Sequence, residues 1–329
     1  MNKKIISIAL IIFFSFTLFA APIKIISFNL NGNDGKHRFE SNEQWSTTIT
    51  AILKQSKADI ILLQEISLDL EKILGDSEGR KKAKEDNLKR LCSELTGFSG
   101  NWKYETSANY MLRKDIKIDD INYAAGSKTQ NNAVLYNSSK FSVKDLSSEL
   151  RFNNFTNAKY KFQKNSVQVL KFTELETKEE FIVINVHLAS NNNPANLNRD
   201  IDTLEKLYAS YKLKYPVIVG GDFNTSRTYL LHRNFDNVDG NSSWYLNNKG
   251  VKTSLGKNKS AISFSNDFDH FIYNNKIKEI SVMQRINNYS DKDTISKVKL
   301  GNHSFENSIE FVQVVSDHYP IIFEYEIGN

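Results

Sequence analysis

The chain has 329 residues, a formal charge of +5 and a single cysteine, Cys92. One cysteine excludes an intramolecular disulfide, so the fold depends on a core large enough to be stable without a covalent staple. The charge, +3 once Lys3 and Lys4 are set aside, permits a polyanionic substrate without demanding one, and no apolar run beyond residue 20 is long enough to span a bilayer as a helix.

Residues 1–20 have the order of a secretory signal peptide. Asn2-Lys3-Lys4 is a short basic start, Ile5 to Phe19 is uncharged and mostly apolar, and Ala20-Ala21 offers a small-residue cleavage site. Leu18 is a poor minus-three residue, so the cleavage point is open by a residue or two, and an uncleaved anchor is the alternative. No cysteine follows the run, which argues against a lipid-modified N-terminus. Residues 21–329 are expected to form one domain, secreted or periplasmic and monomeric, with no stable membrane association.

Apolar, β-branched runs predict strands over Ile23–Asn29, Asp59–Gln64, Trp102–Ser107, Ala133–Tyr136, Val167–Leu175 and Phe181–His187. Further strands are predicted over Pro216–Gly221, Phe271–Tyr273, Ile277–Met283, Phe311–Val315 and Ile321–Tyr325. Helical spacing predicts helices over Gln44–Lys57, Lys82–Leu95 and Ala195–Tyr211. Cys92 falls in the apolar pattern Leu88, Leu91, Leu95 and reads as a small core residue. The mixed charge on that helix reads as a solvated face. Tyr110–Asn132 is a long polar stretch feeding a strand, a common place for substrate contacts, and Thr225–Ser265 reads as irregular surface loops. Many strands with interspersed helices indicate α/β or α+β layering.

Polar residues recur where these runs stop. Asn29, Gln64-Glu65, His187, Asp222 with Asn224, Asp269 and Asp317-His318 each lie at the end of an apolar run or just beyond it, which suggests one shared rim. In order the blocks read SFNL, LQE, NVHL, GDFN, DFDHF and SDHYP. This series resembles the endonuclease/exonuclease/phosphatase superfamily, and within it the secreted deoxyribonucleases of the pancreatic type. The resemblance covers about residues 23 to 327 and implies an α/β four-layer sandwich, two packed, mainly antiparallel β-sheets flanked by helices.

The resemblance also implies roles. Glu65 would bind Mg²⁺ (or Mn²⁺ or Ca²⁺), with Asn29 and Asp317 near the same ion. His318 would act as general base or water-orienting group, its ring held by Asp269. His187 would protonate the leaving oxygen or donate to the phosphate, and a histidine in that block argues against an enzyme of abasic DNA. The pancreatic-type enzymes orient this histidine with a Glu; counting back from Ala133–Tyr136 puts Gln130 near that place here. Asp222 would orient water or bind a second cation, and superfamily members are described with either Asp222-type or His318-type bases. Asn224 and Asn132, with Asn131, would approach the phosphate. Arg113, Lys128, Arg227 and Tyr229 are candidate DNA contacts. His270 should point to the opposite strand face from Asp269.

The expected function is a secreted, divalent-metal-dependent endonuclease that hydrolyses phosphodiester bonds in DNA, or RNA, with little sequence preference. The alternative is a sphingomyelinase-type phospholipid phosphodiesterase, whose bilayer-entering hairpin has Trp244-Tyr245-Leu246 as its nearest candidate. A non-enzymatic binding protein on the same scaffold is less consistent with retention of the whole polar set.

Overall fold

The structure is a computed structural model and describes residues 21–30, 42–66, 77–106, 132–147, 167–233, 244–246, 254–255, 264–285, 298–300, 303–305 and 316–327. In chain order the described elements begin with β1 (Ile23–Asn29), α1 (Asn42–Ser56), β2 (Ile60–Gln64), α2 (Ser77–Thr96), β3 (Trp102–Thr106), β4 (Ala133–Asn137) and β5 (Phe141–Asp145). Next come β6 (Val167–Glu174), β7 (Glu180–His187), α3 (Pro194–Lys212), β8 (Val217–Asp222), α4 (Arg227–Leu231), β9 (Trp244–Leu246), β10 (Ser254–Leu255) and β11 (Phe264–Asn266). The last are β12 (Asp269–Asn274), β13 (Ile277–Arg285), β14 (Val298–Leu300), β15 (His303–Phe305) and β16 (Ile321–Ile327).

Two six-stranded sheets form the body. The first has the order β13-β16-β1-β2-β4-β3 and the second β5-β6-β7-β8-β12-β9. Each contains one parallel pair, β1 with β2 and β7 with β8, and every other neighbouring pair is antiparallel. The parallel pairs are where a helix crosses over: α1 lies between β1 and β2 in the chain, and α3 between β7 and β8. No described helix is long and apolar enough to cross a membrane.

Three apolar clusters make the four layers. Alternate residues of the first sheet, among them Ile26, Phe28, Ile61 and Leu63, pack with α1 and α2. The other alternate set, Ile23, Ile25, Ile60, Leu62, Val134, Phe323 and Tyr325, meets Leu170, Phe172, Val183, Ile218, Phe271 and Tyr273 of the second sheet. Ile182, Ile184, Val186, Val217 and Val219 pack on the other side against α3. Covering on both faces explains why these strands read as unbroken apolar runs. Cys92 lies in the first cluster, and burial pushes its thiol pKa up to about 12. Helix α3 starts where the sequence directs: Asn193 accepts from the backbone N–H of Asn196, and Pro194 takes the first turn.

Two glycines permit the close approach of β8. A Cβ on Gly220 would sit 2.5 Å from the Phe271 ring and 2.7 Å from Leu62 of the facing sheet. Gly221 has φ +144°, and a Cβ there would lie 2.0 Å from Val186 O.

The structure corrects the loop reading of Thr225–Ser265, which contains α4, β9, β10 and the start of β11. These elements are only two to five residues long, too short for a period to register, and β9 is defined by pairing with β12. Strand β5 was not predicted either: only Phe141 and Val143 are apolar in an edge strand with exposed polar positions. The strand expected at Phe311–Val315 lies outside the described residues.

Candidate active site

The space between the sheets changes character along its length. The residues that fill it belong to one alternation set on each strand, apolar over most of the run and polar at one end. On β1 the set Ile23, Ile25 continues to Ser27 and Asn29, and on β2 Ile60, Leu62 continues to Gln64. On β7 Phe181, Val183 continues to Asn185 and His187, on β8 Ile218 continues to Asp222, and on β12 Tyr273, Phe271 leads back to Asp269. The polar rim is therefore the same face as the core, at its open end.

Register aligns it. His187 pairs with Asp222, and Asp222 with Asp269, so three side chains form one row across β7, β8 and β12. On the first sheet Asn29 pairs with Gln64. Glu65 follows with a left-handed backbone, φ +48°. The segment before β16 closes the site: Ser316 Oγ donates to Asn29 O at 2.6 Å and accepts from His318 N at 3.0 Å. An antiparallel bridge from Ser254 holds His318 from another side.

The polar groups converge on Asp222. Its Oδ2 accepts from Asn29 Nδ2 at 2.9 Å and lies 3.7 Å from His187 Nε2 and 3.8 Å from His318 Nε2. Its Oδ1 accepts from Asn224 N at 2.7 Å. Glu65 Oε1 lies 3.3 Å from His187 Nε2 and 3.4 Å from Asn29 Nδ2. Asp317 Oδ1 lies 3.9 Å from His318 Nε2. Asp269 Oδ2 accepts from His318 Nδ1 at 2.8 Å, which directs Nε2 of the same ring toward Asp222.

Burial acts to lower the His318 pKa, but Asp269, Asp222, the hydrogen bond to Asp269 and then Asp317 outweigh it and raise the pKa well above the usual imidazole range. Burial raises the pKa of Asp222; the His318 charge opposes this, Asp269 adds to it, and His187 and the Asn224 N–H oppose it. The carboxylates around His318 thus favour its charged form, and burial makes the Asp222 carboxylate more basic than usual.

Among the described residues, two sets of side chains carry donors suited to a cation. Ligand atoms of Asp222, Asp269 and His318 lie within 4.8 Å of one another, but Asp269 Oδ2 is already bound to His318 Nδ1. Glu65 and Asp317 offer half-buried carboxylates, the donor chemistry of a hard divalent ion that keeps several waters, and the Asn29 carboxamide lies beside Glu65 with its Nδ2 3.4 Å from Glu65 Oε1.

His187, His318, Asp269, Asp222, Glu65, Asn29 and Asp317 are thus brought to one rim, as their positions predicted. Asn224 sits beside them, φ +51°, with its side-chain amide donating to Leu188 O at 2.9 Å. His270 points away, as expected; its Nε2–H donates to Thr225 O at 2.9 Å, and its ring packs edge-on to Phe223. Two expectations need correction. Asn132 is fully buried and donates through Nδ2 to Asn185 O at 3.3 Å, so it lies beneath the rim rather than at the phosphate. The Tyr229 hydroxyl donates to Asn198 on α3, and its ring packs against the outer core, so it is not poised for DNA. Arg227 begins α4, with its backbone N–H on Asp267 Oδ2 at 3.0 Å. Arg113, Lys128, Gln130 and Asn131 lie outside the described residues.

Sequence reasoning missed Asn185. It is fully buried and connects the sheets beneath the rim, through bonds to Gln64, Leu63 and Ala133. The signal was its place two residues before His187, which puts both on one strand face.

Comparison with solved structures places the chain in one structural group. An endonuclease/exonuclease/phosphatase family protein from Bacteroides thetaiotaomicron superposes with a TM-score of 0.57 at 17% identity, over 93% of this chain and 98% of that one. TDP2 from D. rerio, complexed with a single-strand DNA product, gives 0.52 at 10% identity, over 93% and 99%. A mannosyl-6-phosphatase from Bacteroides thetaiotaomicron gives 0.53 at 15% identity, over 92% and 99%. At these identities the likeness is one of fold. No curated protein matches the chain by sequence. The family profile, however, matches residues 26–318, which takes in the first five polar blocks whole and Ser316-Asp317-His318 of the sixth, and the chain belongs to the Endonuclease/Exonuclease/phosphatase family.

Proposed function

We propose that the protein is an exported, divalent-metal-dependent endonuclease that cuts DNA internally with little sequence preference. Family membership makes it a hydrolase of phosphoester bonds. The observation that carries the reading of a phosphodiester-cleaving site is the placement of Asp222 Oδ2 between His187 Nε2 and His318 Nε2, at 3.7 and 3.8 Å, with Glu65 beside His187.

Hydrolysis of a phosphodiester needs a base for water, donors for the phosphoryl oxygens and a proton for the leaving oxygen. Asp222, made more basic by burial, takes the proton of the attacking water. His318, fixed and charged by Asp269, donates from Nε2 to a phosphoryl oxygen. His187 delivers a proton to the leaving oxygen. A divalent ion held by Glu65, Asp317 and Asn29, Mg²⁺ by donor type, would neutralise phosphate charge. The neighbouring TDP2 structure with a DNA product supports nucleic acid as the substrate class.

The phospholipase alternative is weakened by β9. Trp244-Tyr245-Leu246 is paired with β12, and Tyr245 stacks on Tyr273 with centroids 5.3 Å apart, so this segment is part of the sheet rather than a bilayer-entering hairpin. The test is incubation of the protein with supercoiled plasmid, RNA and sphingomyelin, with and without chelator, across a salt series. Plasmid nicking that is chelator-sensitive and steeply suppressed by salt is expected, since binding several phosphates releases counterions. Rapid sphingomyelin turnover with intact plasmid would overturn the reading.

A further inference from the structure

We infer that Asn185 and Gln64 are a positioning pair that sets the separation of the metal-binding and proton-transferring halves of the site. This rests on the assignment of Glu65 as a metal ligand. Asn185 Nδ2 donates to Leu63 O and to Ala133 O, both at 3.1 Å. Those residues face each other across β2 and β4. Asn185 Oδ1 accepts from Gln64 Nε2 at 2.8 Å. Every polar function of this side chain therefore has a partner on the opposite sheet, and two of the three partners are the residues directly before Glu65. Gln64 is fixed in turn by Ser27, whose Oγ lies 3.1 Å from Gln64 Nε2 and 3.3 Å from Gln64 Oε1.

An apolar pair could hold two sheets together equally well. Two buried carboxamides do something further, because each bond has a fixed length and direction and an unmet donor in that space is costly. They allow one relative placement of β7 and β2. His187 is two residues along β7 from Asn185, and Glu65 is one residue along from Gln64, so the placement is transmitted to the 3.3 Å approach of Glu65 Oε1 to His187 Nε2. The left-handed backbone of Glu65 makes its carboxylate direction depend on the peptide that Gln64 anchors.

The test is Mn²⁺ binding by the full chain, followed by electron paramagnetic resonance, for wild type, Glu65→Gln, Gln64→Met, Asn185→Val and the double variant, with thermal melting alongside. Gln64→Met keeps the Asn185 bonds to Leu63 and Ala133 and guards against misfolding of Asn185→Val. Wild-type binding should depend on Glu65, and each single change should weaken it by about 10-fold or more, the scale of outer-shell groups. The double variant should bind no more weakly than the worse single, as expected of a pair acting as one unit. Gln64→Met should lose affinity at temperatures well below its melting midpoint. Glu65-dependent binding that Gln64→Met leaves unchanged, or a lowered midpoint with intact affinity, would overturn the inference alone. Binding indifferent to Glu65→Gln would overturn both it and the reading of the site.

Discussion

The second sheet delivers His187, Asp222 and Asp269 from one register row inside regular strands, whereas the first sheet delivers Glu65 from just beyond a strand end, and Asp317 comes from the segment leading into β16. The row is buried, and its members are fixed by ladder pairing. Glu65 and Asp317 are half-buried and reach the site through a left-handed residue and a serine-held turn. The difference matches the chemistry proposed for each half. Proton transfer requires atoms held to within a fraction of an ångström. A divalent ion enters and leaves with its waters, so its carboxylates must stay reachable.

Removing the ion-binding half should have the largest effect. Glu65→Ala is expected to bring hydrolysis to background at every Mg²⁺ concentration while leaving the thermal midpoint near wild type; a Mg²⁺ titration of plasmid nicking checks it, and a rate near wild type would take Glu65 out of the metal half. In the buried half, His187→Ala and His318→Ala should each lose about 100-fold or more in turnover. A variant cutting at close to the wild-type rate would show that its imidazole is only structural.

The next expectations concern stability. Gly221→Ala should destabilise by about 1–3 kcal/mol or more in chemical denaturation, because φ +144° and Val186 O both oppose a Cβ in the middle of the row. Glu65→Gly tests the other half: glycine accepts φ +48°, so this variant should be more stable than Glu65→Ala by about 1 kcal/mol, although both are inactive. Equal stability would mean that the loop relaxes when the carboxylate is gone.

The smallest effect is a pH dependence on the outer side of the row. Burial lowers the His270 pKa from its ordinary 6.5, against the hydrogen bond to Thr225 O and the charges of Asp267 and Asp269. The folded state binds this proton less readily than the unfolded state, so the stabilising contribution is present above about pH 6.5 and is lost as pH falls through the folded value. The stability advantage of wild type over His270→Gln should therefore narrow as the solution is acidified below that point, as urea titrations at several pH values would show. A gap independent of pH would mean that His270 does not titrate in this way.

What could be read from the sequence was the set of residues whose position is marked by an abrupt local change. Asn29, Glu65, His187, Asp222, Asp269 and His318 each interrupt or follow an apolar run, and the order of those interruptions carried the family resemblance. Asn185 makes no such break visible: a carboxamide inside Phe181–His187 looks like a tolerated polar position until the facing sheet supplies Leu63, Gln64 and Ala133. Asn132 was misplaced for the converse reason, since adjacency to a strand end does not say whether a residue lies on the rim or under it. Tyr229 was misread because its partner Asn198 is on α3, in another element. The small elements between residues 227 and 266 depend on pairing that no local period encodes.

The site draws together residues far apart in sequence: Asn29 bonds Asp222 across 193 positions, and His318, the proposed donor to the phosphoryl oxygen, follows the other site residues in chain order. Any fragment that stops before Ser316 lacks Asp317 and His318, and with them β16, the strand that pairs with β1. Under the proposed reading, no N-terminal portion of this fold can be active by itself.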